Sequence, residues 1–201
     1  MNAIMKQWGK LTLMEWVLMA LLAALNGVAT SLLSHLNQLL TSLGGSMLTS
    51  TIVGLYMIYG LLAMYIIRKP GAALFTYLIG ALMQIMVGTS YGPWSAIAAA
   101  LCYAVIVEPL FFLVKYKKFD WSMMLFTGVA MTPLWYIVAA FMFGYIHYES
   151  LVLVITLAIR CVSGMLLCGG LTKWLGDRLK HTRYVRPFAL GREAMGLREK
   201  G

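Results

Sequence analysis

The sequence is short of charge, and of acidic charge above all. Of its 201 residues 11% are charged, with Asp and Glu numbering 7 against 16 Lys and Arg. A soluble globular domain carries about 25% charged residues and about 45–50% apolar ones. Here 61% are hydrophobic, more apolar surface than one soluble core of this size can hide, so the chain takes lipid as its solvent. Cysteine is scarce as well. Cys102, Cys161 and Cys168 all lie in apolar runs. Their odd number and lack of metal-ligand spacing exclude a disulfide framework and read as small buried hydrophobes.

Catalytic motifs are missing too. Without GxxxxGK[ST] the chain cannot hydrolyse ATP by the Walker route, and HExxH is absent. Ser163-Gly164 has the look of an intramembrane serine nucleophile. Cys161 stands where glycine would be needed, however, and no histidine lies at matching depth to act as base. The expectation is a non-enzyme with no cofactor and no metal.

What the sequence has is apolar runs. Spanning a bilayer takes about 20 mostly apolar residues. Six runs qualify, over 12–34, 48–67, 71–88, 93–114, 122–146 and 151–171. They predict an all-α, polytopic bundle of six transmembrane helices over residues 1–172, followed by a basic cytoplasmic tail over 173–201. The basic, then apolar, N-terminus reads as the first membrane helix rather than a signal peptide, because its apolar stretch is too long for one. The link 35–47, HLNQLLTSLGGSM, reads as a semi-polar loop with a Gly-Gly hinge, able to lie over a site as a lid.

The basic residues divide the links into two sets. Lys6 and Lys10 precede helix 1; Arg68 and Lys69 join helices 2 and 3; Lys115, Lys117 and Lys118 join helices 4 and 5; Lys173 and others follow helix 6. The alternate links, 35–47, 88–92 and 147–150, hold no Lys or Arg. Positive loops stay cytoplasmic, which puts both termini on the cytoplasmic side of the membrane. It also accounts for the net charge of +9 without nucleic acid, since a basic rim meets anionic lipid.

Two charges fall within apolar segments, where insertion costs about 2.5–3.5 kcal/mol each. Glu108 and Arg160 are candidates to pair in the bundle, either to hold the fold or to touch a ligand. A second group lies toward the unpositive links: Gln84, Tyr91, Trp94, His147, with Tyr145, Tyr148 and Glu149 beside it and His35, Asn37 and Gln38 opening the 35–47 link. Tyr56, Tyr77, Trp135 and Tyr136 lie deeper. Each aromatic alone fits an interfacial belt. Together they resemble a pocket open to the outside, with stacking faces and a few hydrogen-bonding groups for a planar ring. In helix 1, Ala20 and Ala24, and Ala23 and Gly27, stand four apart. That spacing serves internal packing or the docking of a second membrane subunit.

Longer stretches carry a resemblance. Tyr65–Leu74 contains RKPGAA, Gly88–Pro93 reads GTSYGP, Glu108 is followed by Phe111, Arg160–Gly164 reads RCVSG, and Ala189–Glu193 reads ALGRE. Taken together they resemble the YkoE family, substrate-binding S components of energy-coupling factor (ECF) transporters. The resemblance implies a six-helix subunit that binds a vitamin or precursor from outside. It implies docking through helix 1 onto a transmembrane coupling subunit, and release driven by two cytoplasmic ATPases as the subunit topples. It also implies thiamine or its hydroxymethylpyrimidine precursor (HMP) as substrate. The family pattern has acidic residues near the positions of Ser50, Tyr77 and Gln84. Their replacement suits a neutral pyrimidine better than cationic thiamine, while Glu108 and Glu149 leave a cation open. Another small vitamin or heterocycle, or a ligand-free membrane scaffold, are the alternatives.

Overall fold

The computed structural model describes residues 11–196, so Lys6 and Lys10 lie outside the described residues. No β-strand occurs among them. The long helices are α1 (Leu13–Thr49), α2 (Gly54–Ile67), α3 (Ala72–Val87), α4 (Pro93–Leu113), α5 (Trp121–Met142) and α6 (Ser150–Ser163). α6 passes through a π-helical segment, Gly164–Gly170, directly into α7 (Leu171–Leu179); a short α8 (Ala189–Ala194) follows. Four apolar stretches are long enough to cross a membrane: Leu13–Ile67, which holds α1 and α2, then Pro93–Leu113, Trp121–Met142 and Ser150–Leu179. α3, at 16 residues, is shorter.

Local chemistry sets the ends. Thr12 and Glu15 form a reciprocal capping box that starts α1. α2 stops where Arg68 turns left-handed, just before Pro70. Pro93 opens α4, at the position where a missing N–H costs nothing. α5 ends at Met142, before the left-handed Gly144, short of the 146 read from its apolar run.

The 35–47 link is corrected by the structure. Helix continues through His35–Leu43, because this stretch is rich in helix-compatible Leu and Gln and lacks proline. The break comes only at Gly44 and Gly45. Gly45 has φ 62° and ψ −155°, a combination open essentially to glycine alone, and a Cβ there would meet nothing within 4 Å.

α2 is the centre of the bundle. Eleven of its 14 residues are buried, and α1, α3, the π segment, α7 and α8 all pack on it. The apolar core fills the half of the bundle that carries the basic links, around Leu61, Met64, Ile67, Val107, Phe111 and Met124. The outer face of α1 stays apolar and exposed, through Leu21, Leu25, Val28, Leu32, Leu36 and Leu39, as a lipid-facing surface requires. α5 crosses the last rod at Gly128 and Gly164. A Cβ on either would strike the other's carbonyl oxygen, so the two backbones touch only because both side chains are absent.

Candidate functional site

The core does not extend to the other end of the bundle. There the row Ala96, Ala99 and Ala100 on α4 faces Ala139 on α5, and the small side chains leave an open cavity. It encloses about 860 Å³ with its mouth included. α1, α2, α3, α4, α5 and α6 all contribute, and the lining reaches inward as far as Asn26 on α1 and Tyr77 on α3.

One wall is aromatic. Tyr77 and Tyr103 lie 5.5 Å apart between ring centres, and Tyr103 and Trp135 6.1 Å. Toward the mouth Tyr91 meets Phe143 at 5.7 Å, and Phe143 meets Tyr145 at 5.9 Å. Asn26 and Thr30 on α1 add polar lining; with Ser34 a turn further on they recur every fourth residue, and all three are buried. Thr30 donates to the Asn26 side-chain oxygen at 3.0 Å. Asn37 donates to the Tyr91 hydroxyl, and Ser34 and Ser90 lie 3.2 Å apart, tying α1 to the 88–92 turn beside the mouth.

Three groups in this cavity are left with capacity to spare. Arg160 is 5% exposed. Its Nε donates to the Ser50 hydroxyl at 3.0 Å, and the Tyr136 and Tyr145 rings cover its guanidinium at 4.8 and 5.6 Å. Its two terminal nitrogens have no hydrogen-bond partner among the described residues. The buried Tyr56 hydroxyl is also unpartnered: it lies near the Tyr91 phenol, outside hydrogen-bond geometry. The Gln84 amide lines the cavity and bonds to nothing among the described residues.

The structure thus brings Gln84, Tyr91, Tyr56, Tyr77, Trp135 and Arg160 to one cavity, though the Tyr77 hydroxyl is already spent on the Met57 carbonyl at 2.6 Å. Tyr136 stands behind Arg160 rather than on the lining. Trp94 (76% exposed) and His147 point away from it, Trp94 from the first turn of α4 and His147 from the exposed 145–147 turn. Asn26, Thr30, Thr49, Ser95, Tyr103 and Phe143 line the cavity although sequence reasoning passed them over. The four-residue spacing of Asn26, Thr30 and Ser34 in an otherwise apolar helix was the available signal.

The expected pairing of Glu108 with Arg160 does not occur. Glu108 sits at the basic end, where its Oε1 accepts from the Ala73 and Leu74 amides and its Oε2 from the Gly71 amide, all at 3.1 Å. The first amides of a helix have no partner within it, and a carboxylate there also meets the positive end of the helix dipole. Glu108 is therefore the cap of α3. The Tyr116 hydroxyl donates to it at 3.2 Å; burial, then the adjacent carboxylate, push that phenol well above its ordinary range.

Ser163 is occupied as well. It donates to the Thr51 carbonyl at 2.7 Å and accepts from the Gly54 amide at 3.0 Å, a structural bridge between α6 and the start of α2. No group of three or more His, Cys, Asp or Glu able to hold a metal stands together among the described residues. On α1, Ala23 and Gly27 face inward, with Gly27 against Met83, while Ala20 is exposed and Ala24 half-buried.

Comparison with known proteins gives these features a setting. Residues 14–134 match the family described as the permease component of an ABC-type cobalt transport system. A relative from Bacillus subtilis (strain 168), which carries the provisional name HMP/thiamine permease protein YkoE, is 31% identical over 196 residues, covering 98% of this chain and 96% of its own. A crystal structure of an S component of an ECF transporter superposes with a TM-score of 0.87 at 30% identity, covering 94% of this chain and 95% of that one. This all-helical membrane protein belongs to the YkoE family of ECF-transporter S components, and to the transport-permease family that residues 14–134 match.

Proposed function

We propose that the chain is the substrate-capture subunit of an ECF importer for thiamine or its HMP precursor, and that the cavity is where the vitamin binds. The observation that carries this is the cavity itself: flat aromatic faces together with polar groups whose hydrogen-bonding capacity is unspent, in a subunit of transporter ancestry. The ligand class comes from the name of the Bacillus subtilis relative. A metal cargo, which the cobalt family name suggests, suits this donor set poorly. The lining offers amides, hydroxyls, phenols and a guanidinium, and no carboxylate, imidazole or thiol.

In this reading six helical rods cross a bacterial plasma membrane and both termini lie in the cytoplasm, because the basic links collect at one end. The cavity then opens to the exterior. A transmembrane coupling subunit meets the exposed Ala20 and half-buried Ala24 of α1, and two cytoplasmic ATPases supply the energy for release.

The test is direct binding. Purified full-length protein titrated with HMP and with thiamine is expected to show saturable quenching of Trp fluorescence at nanomolar to micromolar ligand, Trp135 being part of the lining. Absence of binding across a broad vitamin panel would leave a ligand-free scaffold as the better reading. For docking, Ala20→Trp or Ala24→Trp should abolish copurification with the coupling subunit; if both still copurify, α1 is not the docking face.

A further inference from the structure

We propose that the ligand this cavity takes carries no positive charge and turns a hydrogen-bond acceptor onto Arg160. The inference rests on the capture reading above and deepens it. Between the two candidates it selects the uncharged pyrimidine, or its anionic phosphate ester, over the thiazolium cation of thiamine.

Arg160 is 5% exposed, and no ion pair among the described residues includes it. Its Nε is spent on Ser50 and its face on Tyr136 and Tyr145. What remains is the outer edge of the guanidinium, bordering the cavity with its donors unfilled. A buried charge without a counter-group is costly, and an acceptor placed against it removes that cost.

The lining holds no Asp or Glu. The two carboxylates that could have served a cation stand elsewhere: Glu108 is committed to the α3 amides, and Glu149 is exposed at the head of α6. A cationic ligand would therefore meet a like charge at low dielectric with nothing to offset it. A neutral aminopyrimidine meets complementary groups instead. Its ring nitrogens or hydroxyl accept from Arg160, its amino group donates to the Gln84 oxygen or the Tyr56 hydroxyl, and its ring lies along Tyr103 and Trp135.

Calorimetric titration of the purified full chain with HMP, HMP monophosphate and thiamine, in one buffer at low salt, tests this. HMP or its phosphate is expected to bind roughly tenfold or more tightly than thiamine. Preference between those two tells whether Arg160 supplies one hydrogen bond or neutralises a charge. Arg160→Gln should cost the acceptor ligands roughly tenfold and leave thiamine unchanged or improved. Ser50→Asp, which sets a carboxylate beside Nε and keeps the arginine, should narrow the gap in favour of thiamine. It carries the test should Arg160→Gln fail to fold. Thiamine binding tightest, or a ranking that neither folded variant moves, overturns the inference while leaving the capture reading intact. If none of the three ligands binds, the capture reading for this vitamin falls and takes the inference with it.

Discussion

The two ends of the bundle treat polar groups in opposite ways. At the basic end, charges that turn inward find partners within the chain. Arg68 meets Glu193 at 2.7 Å and Lys69 meets Glu15 at 2.8 Å. Lys173 meets Asp177 at 3.0 Å, and the Tyr65 hydroxyl donates to the same carboxylate at 2.6 Å. Glu108 satisfies three amides. At the cavity end Arg160, Tyr56 and Gln84 are held in place with bonding capacity unspent. One half of the molecule is organised for stability. The other carries a local penalty, one that a bound ligand removes in the reading proposed above.

That contrast predicts how variants should behave, and the largest effect belongs at the basic end. Glu108→Gln replaces a double acceptor with a group that turns a donor on one of the α3 amides. Thermal unfolding in detergent should show a loss of about 3 kcal/mol, read most simply as poor recovery of folded protein. Gly128→Ala pushes a methyl group into the Gly164 carbonyl and should cost about 2 kcal/mol by the same measurement. Arg68→Gln removes a partly exposed ion pair and a guanidinium lying 4.5 Å over the Phe119 ring. Solvent screening limits its loss to about 1 kcal/mol.

The smallest stability change is expected at the cavity. Tyr56→Phe deletes a buried hydroxyl that has no partner, so the ligand-free protein should melt unchanged or slightly higher, while ligand affinity falls. A destabilisation of Tyr56→Phe matching that of Arg68→Gln would break the comparison. Equal losses of affinity in the two variants would break it from the other side.

The sequence motifs divide along the same line. RKPGAA, Glu108 and ALGRE are far apart in the chain, yet all three meet at the basic end. Arg68 holds Glu193, and Glu108 caps the helix that begins after Gly71. These motifs therefore report the scaffold. The apolar runs and the one-sided placement of Lys and Arg made the helices legible, since lipid leaves backbone amides no other partner. The capping role of Glu108 was not legible. It joins residues more than 30 positions apart, and no local pattern distinguishes a capping carboxylate from a paired one. His35–Leu43 misled because its polar residues suggested a loop, whereas they fall on a helix whose other positions are leucine. The cavity was half legible: aromatics announced it, but the space comes from alanines, whose smallness at Ala96, Ala99 and Ala100 is meaningful only once the facing helix is known.

The corner at Gly45 has a consequence of its own. Nothing crowds the position, so size cannot be what selects glycine there; chirality is. A right-handed building block of ordinary bulk, such as D-alanine, would sit at φ 62° and ψ −155° in the mirror image of the relaxed polyproline basin. Among the residues a ribosome can supply, only the achiral one lets the long first helix change direction before it hands over to the centre of the bundle.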